Sequence, residues 1–327
     1  MRKLIPIVIL LTFMFEGNAQ DPHFTQFYAN PLYLNPAFAG TAKGPRFVTN
    51  YRNQWPSISG SFVTYAASYD QHFDGIGGGI GAQILYDKAG DGDLATTMGS
   101  FMYSYHLNVS RKFAIKAGLQ ASMIQKTIDF SKLLWSDQID PKLGFIYNTQ
   151  EPLPDNGTGK INPFLDFSAG IMGFSEKFYA GAAVHHINEP EMSFIGDNES
   201  ILPMKITSHV GMMIPLDNER ETKSFFSPNV LFQKQNYFMQ FNLGAYYINK
   251  FFIAGLWYRQ TSVNSDAIMT LVGIKKDQLK FGYSYDITLS DVRFGAIGSH
   301  EVSLILELKT YKRPPSRVWR KLECPDF

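Results

Sequence analysis

The chain carries a single cysteine, Cys324, near its C-terminus, so no internal disulfide framework holds it together. Charge is sparse: Asp, Glu, Lys and Arg make up 18% of 327 residues and nearly cancel, leaving a net charge of +1. That balance excludes the basic face of a nucleic-acid binder and the acidic tail of a solvating segment. Beyond the first fifteen or so residues there is no long apolar run and no sustained helical periodicity. Recognisable catalytic constellations are missing too. No serine sits in a G-x-S-x-G elbow, and no enzymatic activity, cofactor or metal is expected. His185 and His186 are adjacent in an expected strand, Lys177 to Ile187, which would place them on opposite faces, wrong for a shared metal. Asp87, Asp91 and Asp93 with Gly90 and Gly92 lack the twelve-residue frame and closing Glu of a calcium loop, and read as a polar turn.

What the chain has in quantity is aromatic residues, 15%, set in short segments where apolar and polar residues alternate. Leu279, Phe281, Tyr283 and Tyr285 interleave with Lys280, Gly282, Ser284 and Asp286; Val302, Leu304, Leu306 and Leu308 interleave with polar neighbours. A period of two sorts them onto the two faces of a strand. About fourteen such segments run from Arg46 to Lys309, most of them the roughly 9 to 11 residues that a tilted strand needs to cross a bilayer. The links after the fourth, sixth, tenth and twelfth are tight. Those after the fifth, seventh and thirteenth are long: Asp129 to Asn162, Asn188 to Pro203 and Thr288 to Ser299. Sorting by parity suits an outer-membrane barrel, with short periplasmic turns and long outer loops, although the link after the ninth is short as well. Tyr246, Tyr247, Trp257 and Tyr258 fall where an aromatic girdle is expected. The reading is therefore all-β: a transmembrane antiparallel barrel over 46–310, multi-pass in an outer membrane.

The ends differ in kind. Arg2 and Lys3 precede the apolar run Leu4 to Phe15, which is shorter than the roughly 17 to 25 residues of a spanning helix, and Gly17, Asn18 and Ala19 form a small-x-small cleavage site. Residues 1–19 read as a secretory signal peptide. Residues 20–45 hold Phe24, Gln26, Tyr28, Asn30, Pro31, Tyr33, Asn35 and Pro36, too aromatic for a disordered leader and too broken by proline for a strand. A barrel of this size has a lumen that its own side chains do not fill, so an N-terminal plug is expected. The glycine-rich run Gly75 to Gly81 would let such a plug approach the wall closely. Residues 311–327 form a basic tail with Arg313, Arg317, Arg320 and Lys321, placed on the periplasmic side by the even strand count.

QDPHFTQFYANPLYLNPAFAG at 20–40, YRNQW at Tyr51 to Trp55, DKAGDG at Asp87 to Gly92, GYSYDITLS at Gly282 to Ser290, GSHEVSL in the final strand and the cysteine-bearing tail together resemble the PorP/SprF family. The resemblance spans essentially the whole mature chain. It implies an outer-membrane component of the type IX secretion and gliding machinery of Bacteroidetes. Such a barrel would help to secrete or anchor large surface adhesins through their C-terminal domains, with machinery components on its periplasmic face. Trp135, Phe145, Tyr147 and Phe194 in the two long loops are the candidate partner anchors. The other reading is a FadL-like plugged channel for hydrophobic small molecules, which the Asn35-Pro36-Ala37 segment resembles.

Overall fold

The computed structural model describes residues 21–42, 44–140, 142–150, 158–194, 200–217, 224–262, 267–289 and 298–309. The expected signal peptide, the tail with Arg313, Arg317, Arg320 and Lys321, and Cys324 lie outside these residues.

Fourteen antiparallel strands form the barrel. In chain order they are β1 Arg46–Gln54, β2 Phe62–Phe73, β3 Gly78–Ala89, β4 Leu94–Asn108, β5 Ala114–Asp129, β6 Phe164–Phe174 and β7 Phe178–His185. The second half continues with β8 Lys205–Met212, β9 Ser224–Gln235, β10 Phe238–Asn249, β11 Phe252–Thr261, β12 Ala267–Lys276, β13 Leu279–Thr288 and β14 Ser299–Glu307. Every strand pairs with its neighbours in sequence, and β1 pairs with β14 from Arg46 opposite Glu307 to Gln54 opposite Ser299. The sheet therefore closes on itself and leaves no edge. A short strand, Thr158–Lys160, adds to the end of β5, and a two-stranded pair, Ile139–Asp140 with Gly144–Phe145, stands in the long connection after β5.

Alternation sets the two faces. In β13 Lys280, Ser284 and Asp286 are buried, while Leu279, Phe281 and Ile287 are exposed; in β10 Gln240 and Asn242 are buried, and Met239, Phe241 and Leu243 exposed. The buried set is thus the polar one, and the outward belt is apolar, with Ile84, Phe101 and Leu119 each about two-thirds exposed. A lipid solvent inverts the usual pattern in this way, because outward polar groups would find no partner in hydrocarbon.

The aromatic girdle needs a correction. Tyr247 and Tyr258 face outward, but Tyr246 and Trp257 are buried inside the barrel. Adjacent strand residues point to opposite faces, so each aromatic pair is split across the wall.

Residues 21–42 lie inside the ring of strands and pack against inward-facing side chains on all sides. Three short helical turns, Phe27–Ala29, Pro31–Leu34 and Pro36–Phe38, give the segment its shape. Pro31 and Pro36 each sit in a first helical turn, where their missing N–H costs nothing. The Asn35 side chain caps the last turn by accepting the Ala37 N–H at 2.9 Å. The wall makes room with glycine. A Cβ on Gly79 would come within 2.2 Å of the Ala39 carbonyl oxygen, and one on Gly118 within 2.4 Å of the Ala37 nitrogen.

Candidate functional site

The N-terminal segment is fastened at four places, which together draw on strands right around the barrel. At the seam, Glu301 of β14 accepts the backbone N–H groups of Thr25 (2.6 Å) and Gln26 (3.1 Å), and Asp286 of β13 accepts the Thr25 hydroxyl at 2.7 Å. Arg52 of β1 ties both acids together, at 2.9 Å to Asp286 and 3.3 Å to Glu301, and Arg259 of β11 reaches Asp286 at 3.1 Å. Two cations and two anions thus share one desolvated cluster, and the segment's backbone donors help to satisfy the acids. His23 stands beside both guanidiniums, with Nε2 3.2 Å from Arg259 Nη1. Burial, with Arg259 and Arg52 adding to it, pushes its pKa well below the usual value, so the ring is neutral and accepts.

The second fastening is at Ala39 and Gly40. The Ala39 carbonyl accepts from Ser104 of β4 and Lys116 of β5, both at 2.6 Å, while the Gly40 N–H donates to Asp70 of β2 at 2.7 Å. The Asp70 carboxylate also takes Arg46 at 2.8 Å. Asn35 supplies the third, donating to the carbonyls of Ile171 in β6 and Ala182 in β7, each at 3.2 Å. Between these points Tyr28 lies edge-on to Tyr179 and Tyr246, and Phe27 edge-on to Trp257, forming an aromatic filling between β7, β10 and β11.

Asp21 makes the fourth. Its carboxylate is 2.8 Å from His186 Nε2 and 3.4 Å from Lys205 Nζ, and His186 Nδ1 is 2.8 Å from Asp166. Burial raises the Asp21 pKa, but His186 and Lys205 outweigh it and hold the carboxyl well below the usual range. Burial likewise opposes protonation of His186, yet Asp21 and Asp166 bring its pKa up to about 9. The histidine pair also departs from expectation. β7 ends at His185, and His186 takes φ +57, so the strict alternation stops there. Both rings line one cavity.

That cavity, about 340 Å³, lies beyond the segment toward the end of the barrel where the long connections leave. It is bounded below by Asp21, Pro22 and Tyr33, and around its sides by the ends of β3, β5 and β7 and the starts of β4, β6 and β8. The long connection after β7 folds down over it: Met192 and Leu202 join Phe24, Leu85, Met98 and Ile124 in one buried cluster, against which Phe194 and Tyr33 also pack.

The four loop aromatics therefore occupy different settings. Phe145 and Tyr147 are about half exposed, near the exposed Leu134, Leu143 and Ile146. Trp135 is half-buried against Phe130, at 6.2 Å between rings, and Phe194 meets the same Phe130 edge-on at 6.2 Å. Sequence reading missed the buried charges altogether. Arg52, Asp286 and Glu301 fall in the inward-facing set, and that set is polar whether it meets water or protein. No group of three or more metal-ligating side chains forms among the described residues.

Among solved structures, the chain is similar to the CymD monoaromatic hydrocarbon channel, with TM-score 0.52 and 12% identity, covering 87% of this chain and 94% of that one. It is also similar to the Pseudomonas putida toluene transporter TodX, with TM-score 0.47 and 9% identity over 88% and 94% of the two chains. Omp33 of Acinetobacter baumannii follows, with TM-score 0.45 and 6% identity over 82% and 100%. At these identities the likeness is one of fold. No curated protein matches the sequence. The family model described as type IX secretion system membrane protein PorP/SprF matches residues 16–306. With fourteen strands closed on themselves, an apolar belt outside and polar residues within, the chain belongs to the PorP/SprF family and is a multi-pass β-barrel of the outer membrane.

Proposed function

We propose that this barrel is a non-enzymatic docking platform, plugged by its own N-terminal segment. On this reading it holds the C-terminal domain of a large adhesin, exported by the type IX system, at the cell surface. Family membership supports the secretion role. The observation that carries the docking role is at the rim: Leu134, Leu143, Phe145, Ile146 and Tyr147, all in the connection after β5, are exposed, and so much apolar surface in contact with water is unfavourable unless a partner covers it. Phe145 and Tyr147 are its anchors, and Trp135, half-buried against Phe130, is the third aromatic of the same connection. Phe194 belongs to the packing over the cavity rather than to the docking face. The short turns and both barrel termini then face the periplasm and the machinery.

Deleting residues 134–147 in the native host tests this. The adhesin is expected in the culture medium while the barrel remains in the outer membrane; an adhesin retained at the cell surface rejects the platform.

A channel for hydrophobic small molecules is the second reading, favoured by the likeness in fold to CymD. Against it stand the inward-facing charges Arg52, Arg259, Asp286 and Glu301 and the polar fastenings of the segment, which give an apolar solute no dry path through the barrel.

A further inference from the structure

Lysines at the two ends of the barrel are satisfied differently. At the end where the long connections leave, Lys88 pairs with Asp93 at 2.6 Å, and Lys132 bridges Asp93 and Asp129. At the end of the short turns, Lys250 and Lys276 have no ion-pair partner among the described residues. Register brings these two cations together. Phe252 of β11 is opposite Ile274 of β12, and the Lys275 N–H donates to the Phe251 carbonyl at 3.0 Å, which carries the pairing one step past the end of β11. Lys250 and Lys276 are the next positions out. Like charges set beside each other on a sheet repel. The turns offer one weak relief, the Phe251 ring, whose centre is 5.3 Å from the Lys250 ammonium. Asp277 follows in the next turn, at φ +53, and pairs with neither lysine.

Beside the pair the outer wall is apolar. Phe252 and Ile274 face each other across β11 and β12, Leu279 of β13 is opposite Lys276, and all three are exposed. Alternation puts Lys276 on the same outward face as Ile274, two positions further on. These residues therefore cross the boundary of the apolar belt, with a ring and branched chains on the hydrocarbon side and two ammonium groups just past it, at the level of lipid headgroups. The combination selects the occupant. A small anion from water would use the lysines and leave Phe252, Ile274 and Leu279 aside. A periplasmic protein resting on the turns would not reach those three, because that face of the wall lies against lipid. A zwitterionic headgroup brings a further cation to a pair that already repels. An anionic phospholipid meets both halves: its phosphate accepts from the two lysines, and an acyl chain lies along the apolar strip.

We propose that Lys250 and Lys276, with Phe252, Ile274 and Leu279, form a site for one anionic phospholipid in the leaflet that the short turns meet. The site lies at the opposite end of the barrel from the exposed loop and does not rest on the docking reading.

The test uses the full chain in detergent and native mass spectrometry, which counts bound lipids. Dioleoylphosphatidylglycerol is titrated against dioleoylphosphatidylethanolamine, which shares its acyl chains and lacks its net charge. The parent is expected to hold one phosphatidylglycerol about tenfold more tightly than phosphatidylethanolamine, and Lys250→Gln with Lys276→Gln to erase that difference. Lys250→Arg with Lys276→Arg should keep it. Lys112→Gln with Lys177→Gln, which removes two cations from other short turns, should leave it unchanged. Heat-modifiable gel migration confirms that each variant is folded. Equal binding of the two lipids by the parent overturns the proposal. So does a preference that survives the loss of Lys250 and Lys276, or one lost equally with Lys112 and Lys177, which would mark diffuse attraction in place of a site. If the Lys250 and Lys276 glutamine variant binds lipid as the parent does but loses envelope proteins from a pull-down, the lysines serve a protein partner and the lipid site fails. Deleting residues 134–147 should leave the lipid preference intact whether or not the adhesin is released, so the two readings fail separately.

Discussion

The Thr25 backbone N–H donates to the Glu301 carboxylate at 2.6 Å, across 276 positions of sequence. That bond joins the N-terminal segment to the last strand of the barrel. Replacing Glu301→Ala removes it and leaves Arg52 with one acid fewer in a desolvated site, a loss expected to cost about 3 to 5 kcal/mol. Chemical denaturation in detergent measures the loss. Limited proteolysis should then cut within residues 21–42 in the variant and spare them in the parent.

Gly118 tests the close approach. A leucine there would drive its Cβ into the Ala37 backbone, with no flexible side chain to yield. Gly118→Leu is expected to keep the barrel closed while expelling the segment, and planar-bilayer recordings should then show stepwise conductance that the parent lacks. A silent bilayer would mean that the segment repacks in place.

The Asp21 and His186 pair predicts a bounded pH range for the anchoring of the segment's first residues. His186 is raised in the folded protein to about 9, so its contribution is complete below its ordinary value of 6.5 and is lost as pH rises through about 9. Asp21 is lowered, so its contribution is present above its ordinary value of 3.8 and is lost as pH falls below that value. Thermal unfolding in detergent should give a plateau between these limits. His186→Gln is expected to abolish the alkaline fall and to shrink the acid one, since Lys205 and Lys126 then hold the Asp21 carboxylate without it.

The outward face offers a test of the solvent. Leu119 is 65% exposed near the middle of β5, and Leu119→Arg places a cation in the apolar belt at an expected cost of about 2 to 4 kcal/mol. Heat-modifiability of the membrane fraction should show a smaller folded population. The same substitution at Leu143, in the loop, is expected to leave folding unchanged.

All fourteen strands were legible because strand alternation survives any change of solvent. The sign of the faces was legible only in part. Tyr246 and Trp257 read as girdle because sequence shows an aromatic cluster without showing that Tyr28 awaits half of it inside. The shared cavity of His185 and His186 was invisible because a single positive φ ends the alternation, and neither residue is a glycine that would mark the spot. Asn-Pro repeats did signal short capped turns. What they could not signal is where on the wall each turn ties, since Asp70, Glu301 and Asp286 look in sequence like any other carboxylate facing a wet lumen.

The register that sets Arg52 opposite Glu301 lies on the one pairing in the sheet that joins the chain's first strand to its last. Until that pairing forms, Arg52 and Glu301 sit on opposite edges of an unfinished sheet, and the Thr25 backbone N–H cannot meet Glu301 and Arg52 in one cluster. The cluster thus makes the seating of the earliest residues depend on the arrival of the latest ones. A barrel arrested before its final hairpin would stay open through the middle as well as along its side.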